Sequence, residues 1–370
     1  TFAIEMPPGF ECVKGDKFRC PPCNYDGQLG RVCSVRRSRG AAPGPEGVSM
    51  RIGFIGLGNV GAKLAGSLLR NGFDLVVRDL DRGAARALLD GGAAWADSPR
   101  EMAEQCDVVI TCLPSPTACS QVLEAGDGVI AGFASAGGEG KVWLEMSTTD
   151  EAEVRRIAPL VEATGAVPVD CPVSGGCHRA ATGNIAIFAG GERAAFERVL
   201  PVLTAMGRRI LHTGPLGSAS ILKVVTNYLA TANLVSLCEA LTTASVAGMD
   251  LTTTYEAIRI SSGNSFVHET EGQVILNGTR DISFTMDLVV KDIGLFDDVA
   301  TRHGVPLEVS PLLRRIFEDG QERYGPREWS PNIIRRLEEP TGLEIRASGF
   351  PAEILDDEPE EPGYEVVPRR

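Results

Sequence analysis

Six consecutive residues, Gly56-Leu57-Gly58-Asn59-Val60-Gly61, have the spacing GxGxxG, and a carboxylate, Asp79, stands 18 residues beyond the last of them. Alone the hexapeptide carries little weight in a chain with 42 glycines. Its context makes it specific: it follows a strand pattern at Arg51–Ile55, opens a helix pattern at Ala62–Arg70, and is followed by a second strand pattern, Asp74–Val77, that leads to Asp79. In such a setting Gly56 permits a tight turn, Gly58 lets a pyrophosphate approach the backbone, and Gly61 allows close packing of helix on strand. The helix start offers free amides and partial positive charge to phosphates. The pattern predicts a dinucleotide site. Asp79 would accept hydrogen bonds from the adenosine ribose and repel a 2′-phosphate, which favours NAD; Arg78 and Arg82 flank it and leave NADP as the alternative.

A second set of residues could move protons. Of 36 basic residues only six are lysines, and lysine, unlike arginine, can lose its proton when desolvated. Lys223 and Asn227 are four apart on the helix pattern Ser218–Val246 and so share a face. Lys223 sits among Ile221, Leu222, Val224 and Val225, where desolvation lowers an amine's pKa. A positioned amine can take a hydroxyl proton as hydride leaves the adjacent carbon, and return it in the reverse direction. The plain alternative is a solvent-facing lysine with a helix-surface asparagine. Ser174-Gly175-Gly176 ends a strand pattern and presents successive amides without bulk, a suitable nest for a carboxylate or else an ordinary turn.

The elements that must position these groups alternate. Strand patterns at Arg51–Ile55, Asp74–Val77, Asp107–Cys112, Lys141–Glu145 and Ala166–Val169 are separated by helix patterns at Ala62–Arg70, Arg82–Leu89, Pro99–Gln105, Pro116–Glu124 and Asp150–Ala163. Buried strands alternating with amphipathic helices predict an α/β Rossmann domain with a mostly parallel, doubly wound sheet over residues 50–213. From Gly214-Pro215 a helix runs about 30 residues to Gly248, opening an all-α C-terminal domain over residues 214–328 with further helix patterns at Thr252–Ile260, Met286–His303 and Pro306–Tyr324. Residues 1–49 form an extension without sustained period. Residues 329–370 form an acidic, Pro-containing tail; from Glu338 it holds ten acidic and three basic residues, and it is expected to lie solvated or draped with little structure of its own.

Composition narrows the classes. Forty-nine acidic against 36 basic residues give a formal charge of −13, which disfavours nucleic acid as a partner. The most apolar stretch, Val224 to Met249, contains Glu239 and many threonines, so no membrane span is expected. Cys106, Cys112, Cys119, Cys171, Cys177 and Cys238 lack regular spacing and read as reduced thiols of a cytoplasmic protein. Cys12, Cys20, Cys23 and Cys33 match no common zinc spacing, and the four histidines include no i, i+4 pair, so no metal is expected.

The glycine-rich loop, Asp170-Cys171-Pro172-Val173-Ser174-Gly175-Gly176, the stretch from Gly217 through Lys223 to Asn227, and Lys291-Asp292-Ile293-Gly294-Leu295 together resemble the β-hydroxyacid dehydrogenase family, of the 3-hydroxyisobutyrate dehydrogenase-like kind. The resemblance covers about Met50 to Tyr324. It implies an active site in the cleft between a Rossmann and a helical domain, and an NAD-dependent interconversion of a small 3-hydroxy acid with its semialdehyde or 3-oxo acid. In that frame Lys223 is the general acid/base, Asn227 orients substrate and amine, and Ser174, Gly175 and Gly176 hold the substrate carboxylate. Lys291 reaches toward the nicotinamide ribose or the substrate. Leu113 and Pro114 resemble a loop against the cofactor, and Thr148, after Ser147, a loop on the nicotinamide side. A homodimer or homotetramer is implied as well. Within the family, reductases of tartronate semialdehyde or related C3–C5 acids are the alternative. A 6-phosphogluconate dehydrogenase is disfavoured by Thr226, where that relative has histidine. A non-catalytic dinucleotide-binding protein is the alternative of another class, and the presence of Lys223 argues against it. Two departures stand out: Ala219 where many relatives carry glycine, and Cys177-His178 after the glycine pair, with His178 read as a surface residue.

Overall fold

The computed structural model describes residues 50–369; the extension with its four cysteines lies outside them. The chain opens with β1 (Arg51–Ile55), α1 (Gly61–Arg70), β2 (Asp74–Arg78), α2 (Arg86–Asp90), β3 (Ala94–Trp95), α3 (Pro99–Gln105) and β4 (Val108–Thr111). It continues through α4 (Pro116–Glu124), α5 (Val129–Ala136), β5 (Val142–Glu145), α6 (Glu151–Glu162) and β6 (Val167–Asp170). The strand order β3-β2-β1-β4-β5-β6, parallel throughout, is that of a doubly wound dinucleotide-binding sheet. Side chains alternate between its faces as a strand period of two requires. Ile52, Phe54, Val108, Ile110, Val142 and Leu144 enter one core, while Ile55, Val109 and Trp143 enter another on the opposite face.

The sheet then extends beyond the sequence reading. After β7 (Val173–Ser174) and α7 (Gly176–Thr182), β8 (Ile185–Gly190) runs antiparallel to β6 and β7. Helix α8 (Arg193–Met206) returns the chain to β9 (Gly207–Gly214), parallel to β8. Asp170, at the end of β6, ties this domain to the helix that leaves it. Its buried carboxylate accepts hydrogen bonds from Gly217 N (2.9 Å), Ser220 N (2.7 Å) and Ser220 Oγ (2.9 Å). It thus caps the long helix α9 (Ser218–Val246), whose own preceding residue is a glycine without a side-chain cap.

Around α9 the helical domain packs α10 (Leu251–Arg259), α11 (Phe266–Glu269), α12 (Glu271–Asn277), α13 (Met286–Arg302) and α14 (Val309–Tyr324). By length and hydropathy α9 could cross a membrane, contrary to the sequence expectation. Leu234, Leu237, Cys238 and Leu241 nevertheless lie in the domain core against Ile293, Leu313 and Phe317, which makes α9 the domain's central helix.

The C-terminal boundary also needs correcting. Residues 330–334 form a short 3-10 turn that runs into α15 (Arg335–Thr341), and Ile333, Ile334 and Ile345 are buried in the same core. The segment then crosses back to the Rossmann domain and ends as β10 (Tyr364–Glu365), parallel to β9. It is draped over the surface, as one of the two expectations had it, with most of its residues exposed and arginines distant in sequence lining its path.

Candidate active site

The glycine loop lies where the strand order reverses, at the C-terminal ends of β1 and β4. That is the crevice in which open α/β sheets bind ligands. Its three glycines are needed for different reasons. Gly56 has φ +97°, and a Cβ there would stand 2.2 Å from the Cys112 carbonyl oxygen. A Cβ on Gly61 would stand 2.0 Å from the Gly56 carbonyl oxygen, so helix and strand could not approach. At Gly58 a Cβ would meet nothing within 4 Å. The two outer glycines are therefore required by the fold, whereas the middle one keeps open a space that the protein does not fill. This is the fit a pyrophosphate needs. Val60 supplies no side-chain cap to α1; Ala62 N and Lys63 N donate to the carbonyls of Gly58 and Val60, and the helix start turns its partial positive charge toward the space over Gly58.

Asp79, just past β2, accepts from Leu57 N (2.6 Å) and Asp81 N (3.0 Å), so it is fixed against the loop. Both arginines beside it turn away: Arg78 donates to the carbonyls of Ala96 and Asp97, and Arg82 lies over the Trp95 ring at 4.9 Å. Asn59 reaches across to the helical domain and donates to Ser283 O (3.3 Å).

The facing wall is set by a residue the sequence reading passed over. Glu145, fully buried at the end of β5, accepts from Thr111 Oγ1 (2.8 Å) and Ser147 N (2.7 Å). Ser147 Oγ in turn accepts from Leu113 N (2.8 Å), which places Leu113 against Gly56 and carries the chain into Pro114. Burial raises the Glu145 pKa, although the hydrogen bonds from Cys119, Ser147 and Thr111 oppose that rise. The loops after β4 and β5 are thus tied to one another through a carboxylate neither sequence pattern marked.

Lys223 is buried, with 8% of its surface exposed, on the α9 face that looks into the cleft. Its Nζ donates to Asn227 Oδ1 (2.8 Å), and Asn227 Nδ2 donates to Asp292 Oδ2 (2.6 Å). The carboxylate of Asp292 can only accept, which fixes the asparagine amide with its oxygen toward the lysine. Lys291 Nζ pairs with Asp292 Oδ1 at 2.8 Å and donates to Thr148 O (2.8 Å) on the loop after β5. Desolvation lowers the Lys223 pKa to about 8; Asp292 works against the shift, and Lys291 adds to it. Asp292, the second carboxylate missed from sequence, thereby closes a polar chain from one domain to the other.

Ser174, Gly175 and Gly176 form the turn from β7 into α7, with φ +129° at Gly175 and +87° at Gly176. His178, read from sequence as a surface residue, is instead half-buried and stacks on Phe266 of α11 at 6.3 Å between ring centroids. Burial, followed by the neighbouring Arg179, lowers its pKa. Arg179 lies over the same Phe266 ring at 4.8 Å. Of the four lysines among the described residues, Lys141 serves the scaffold, its ammonium donating to the carbonyls of Ala103, Glu104 and Cys106.

Fold and site together define a dinucleotide-dependent dehydrogenase, with the cofactor loop on one domain and a desolvated amine on the other. Comparison with known proteins makes the assignment particular. Residues 51–214 match the family model described as the NAD binding domain of 6-phosphogluconate dehydrogenase. Residues 217–337 match that described as NAD-binding of NADP-dependent 3-hydroxyisobutyrate dehydrogenase. The chain is 33% identical to 2-(hydroxymethyl)glutarate dehydrogenase of Eubacterium barkeri, over 80% of this chain and 98% of that protein. It is 32% identical to NAD-dependent L-serine dehydrogenase of Pseudomonas aeruginosa, over 79% and 98%. A crystal structure of 3-hydroxyisobutyrate dehydrogenase from Salmonella typhimurium superimposes with a TM-score of 0.70 at 31% identity, over 78% of this chain and 99% of that one. The chain belongs to the β-hydroxyacid dehydrogenase family. It is an NAD(P)-dependent oxidoreductase acting on the CH–OH group of a hydroxy acid.

Proposed function

We propose that the protein interconverts a small 3-hydroxy acid and its semialdehyde or 3-oxo acid, with NAD as the preferred cofactor and Lys223 as general acid/base. Bound NAD supplies the hydride acceptor. Asp79, held at the ribose end of the loop with both neighbouring arginines turned away, is the ground for NAD over NADP. The substrate carboxylate sits on the amides of Ser174, Gly175 and Gly176, and Thr148 and Lys291 line the nicotinamide side. In oxidation the hydroxyl proton passes to neutral Lys223 Nζ as hydride leaves the carbon that bears the hydroxyl. In reduction the ammonium returns it.

The observation that carries this reading is the buried amine, 2.8 Å from Asn227, with its pKa drawn down to about 8. An amine that spends part of its time neutral near physiological pH suits both directions, whereas a solvent-facing lysine would stay protonated. Relatives named for 2-(hydroxymethyl)glutarate, L-serine and 3-hydroxyisobutyrate supply the substrate classes to try. A homodimer or homotetramer is proposed as well, on the exposed apolar side chains of Leu229 and Val246 on α9 and Met249 just after it. The six unpaired cysteines among the described residues suit a reducing, cytoplasmic setting.

The test is a panel of 3-hydroxyisobutyrate, 2-(hydroxymethyl)glutarate, L-serine, 3-hydroxypropionate, glycerate and tartronate semialdehyde, followed at the NADH absorbance with NAD or NADP. Turnover on one acid, faster with NAD and lost in Lys223→Ala, is expected. Equal turnover in that variant would remove the proposed acid/base.

A further inference from the structure

The turn that presents Ser174, Gly175 and Gly176 leads into a short helix that packs on α1, where Arg70 donates to Ala181 O (2.8 Å). Helix α7 has seven residues, too few for stability of its own. It is bracketed by glycines at positive φ: Gly175 before it, Gly176 as its first residue and Gly183 (+77°) after it. Cys177 and Ala180 fix one side in the core. The other side is held by the C-terminal segment, which lies beyond the residues matched by the family models.

That segment is anchored at both ends. On the helical domain, Ala347 N donates to Leu276 O (2.9 Å), Asn277 Nδ2 to Phe350 O (2.8 Å) and Thr279 Oγ1 to Ala352 O (2.8 Å). On the Rossmann domain, Gly363 N donates to Thr204 O (3.0 Å), β10 pairs with β9, and Arg193 makes a two-pronged pair with Glu365. Between these anchors it passes over α7. Asp356 accepts from Thr182 Oγ1 and from Asn184 Nδ2 (2.7 Å); Asn184 Nδ2 also donates to Glu358 O (2.8 Å). The Glu358 carboxylate pairs with Arg179 (3.3 Å) and with Arg209 of β9 (3.3 Å). Arg179 in turn covers Phe266 of the helical domain.

We propose that Asp356 and Glu358 are positioning residues for the substrate loop: through Thr182, Asn184 and Arg179 they hold α7, and with it the Ser174–Gly176 amides, at a fixed place relative to the helical domain. The inference rests on the reading of Ser174–Gly176 as the carboxylate nest. Its consequence is that loss of these two carboxylates weakens binding of the hydroxy acid while leaving the dinucleotide site and Lys223 untouched. Exposed ion pairs are individually weak and screened by salt, so the effect on affinity is moderate, and high ionic strength reproduces part of it in the parent protein.

The experiment compares the full chain with Asp356→Ala, Glu358→Gln and their combination, and uses Glu365→Gln as a control that loses a carboxylate of the same segment away from α7. Two quantities are read: KM for the hydroxy acid against KM for NAD and kcat, and amide hydrogen exchange over residues 174–184. The double variant should raise the hydroxy-acid KM about five-fold or more, by the worth of one to two such contacts, with KM for NAD and kcat within about two-fold. Exchange over 174–184 should quicken, and the Glu365→Gln control should change neither quantity. Unchanged exchange, or faster exchange with an unchanged substrate KM, overturns the proposal. A fall in kcat alone overturns it too. If no hydroxy acid is turned over, the functional reading fails, and the exchange measurement still decides whether the segment holds α7.

Discussion

The cofactor loop and the lysine cluster face one another across the cleft, yet they are built from opposite materials. The loop is backbone: three glycines and a helix start, with Asp79 as the side chain that fixes it. The cluster is side chains from two helices and a loop, Lys223 and Asn227 on α9, Lys291 and Asp292 on α13, and the Thr148 carbonyl. A backbone site is fixed by local sequence and tolerates nothing at the positions where atoms already touch. A side-chain site is fixed by packing at a distance, and each member tunes the others' charge.

The comparison makes the largest effect fall on the cluster. Lys223→Ala should lower kcat about a hundred- to ten-thousand-fold, with NAD binding by fluorescence titration unchanged. Loss of NAD binding in that variant would show that the two sites are not separate.

Within the loop, the glycines should divide sharply. Gly61→Ala forces a Cβ to within 2.0 Å of a carbonyl oxygen and should cost about 2–4 kcal/mol in urea unfolding. Gly58→Ala meets only open space, so stability should hold while the NAD Kd rises about ten-fold or more, because the methyl group takes the place of the pyrophosphate. A Gly58→Ala protein that binds NAD as tightly as the parent would refute the assignment of that space to the cofactor.

The smallest effects, and the most telling in sign, are shifts in the pH profile. Asp292 raises the Lys223 pKa and Lys291 lowers it. Asp292→Asn should therefore move the ionisation seen in kcat/KM to lower pH, and Lys291→Gln should move it to higher pH. Shifts in the same direction would contradict the electrostatic account of the cluster.

The contrast between backbone and side-chain sites also explains what the sequence disclosed. The parallel half of the sheet and the glycine loop were legible because spacing and strand period are local properties. Lys223 and Asn227 were legible as a pair because four residues on a helix share a face. Asp292 was not recognised as its third member, although the family-like stretch begun by Lys291 contains it. A carboxylate on a helix is ordinarily a surface residue, and its partner Asn227 lies 65 positions away. Glu145 and Asp170 are invisible for the same reason: each works through partners that only the fold brings near. Strands β8 and β9 carry no sequence reading: Ile185–Ala189 is an apolar run too short for its period to separate strand from buried helix, and Arg208-Arg209 interrupt the pattern of β9. The acidic tail was read as solvated or draped, and the sequence did not decide between them because Arg70, Arg179, Arg193, Arg208 and Arg209, its partners, are scattered over the Rossmann domain.

The central claim, that a desolvated Lys223 exchanges the substrate proton, is tested most directly by the pH dependence of kcat/KM for oxidation of the preferred hydroxy acid in the parent protein and in Lys223→Ala. The parent should rise with pH through one ionisation near 8, as the ammonium gives way to the amine, and the residual rate of the variant should lack that step. An ionisation near 8 that persists in Lys223→Ala would place the acid/base on another residue.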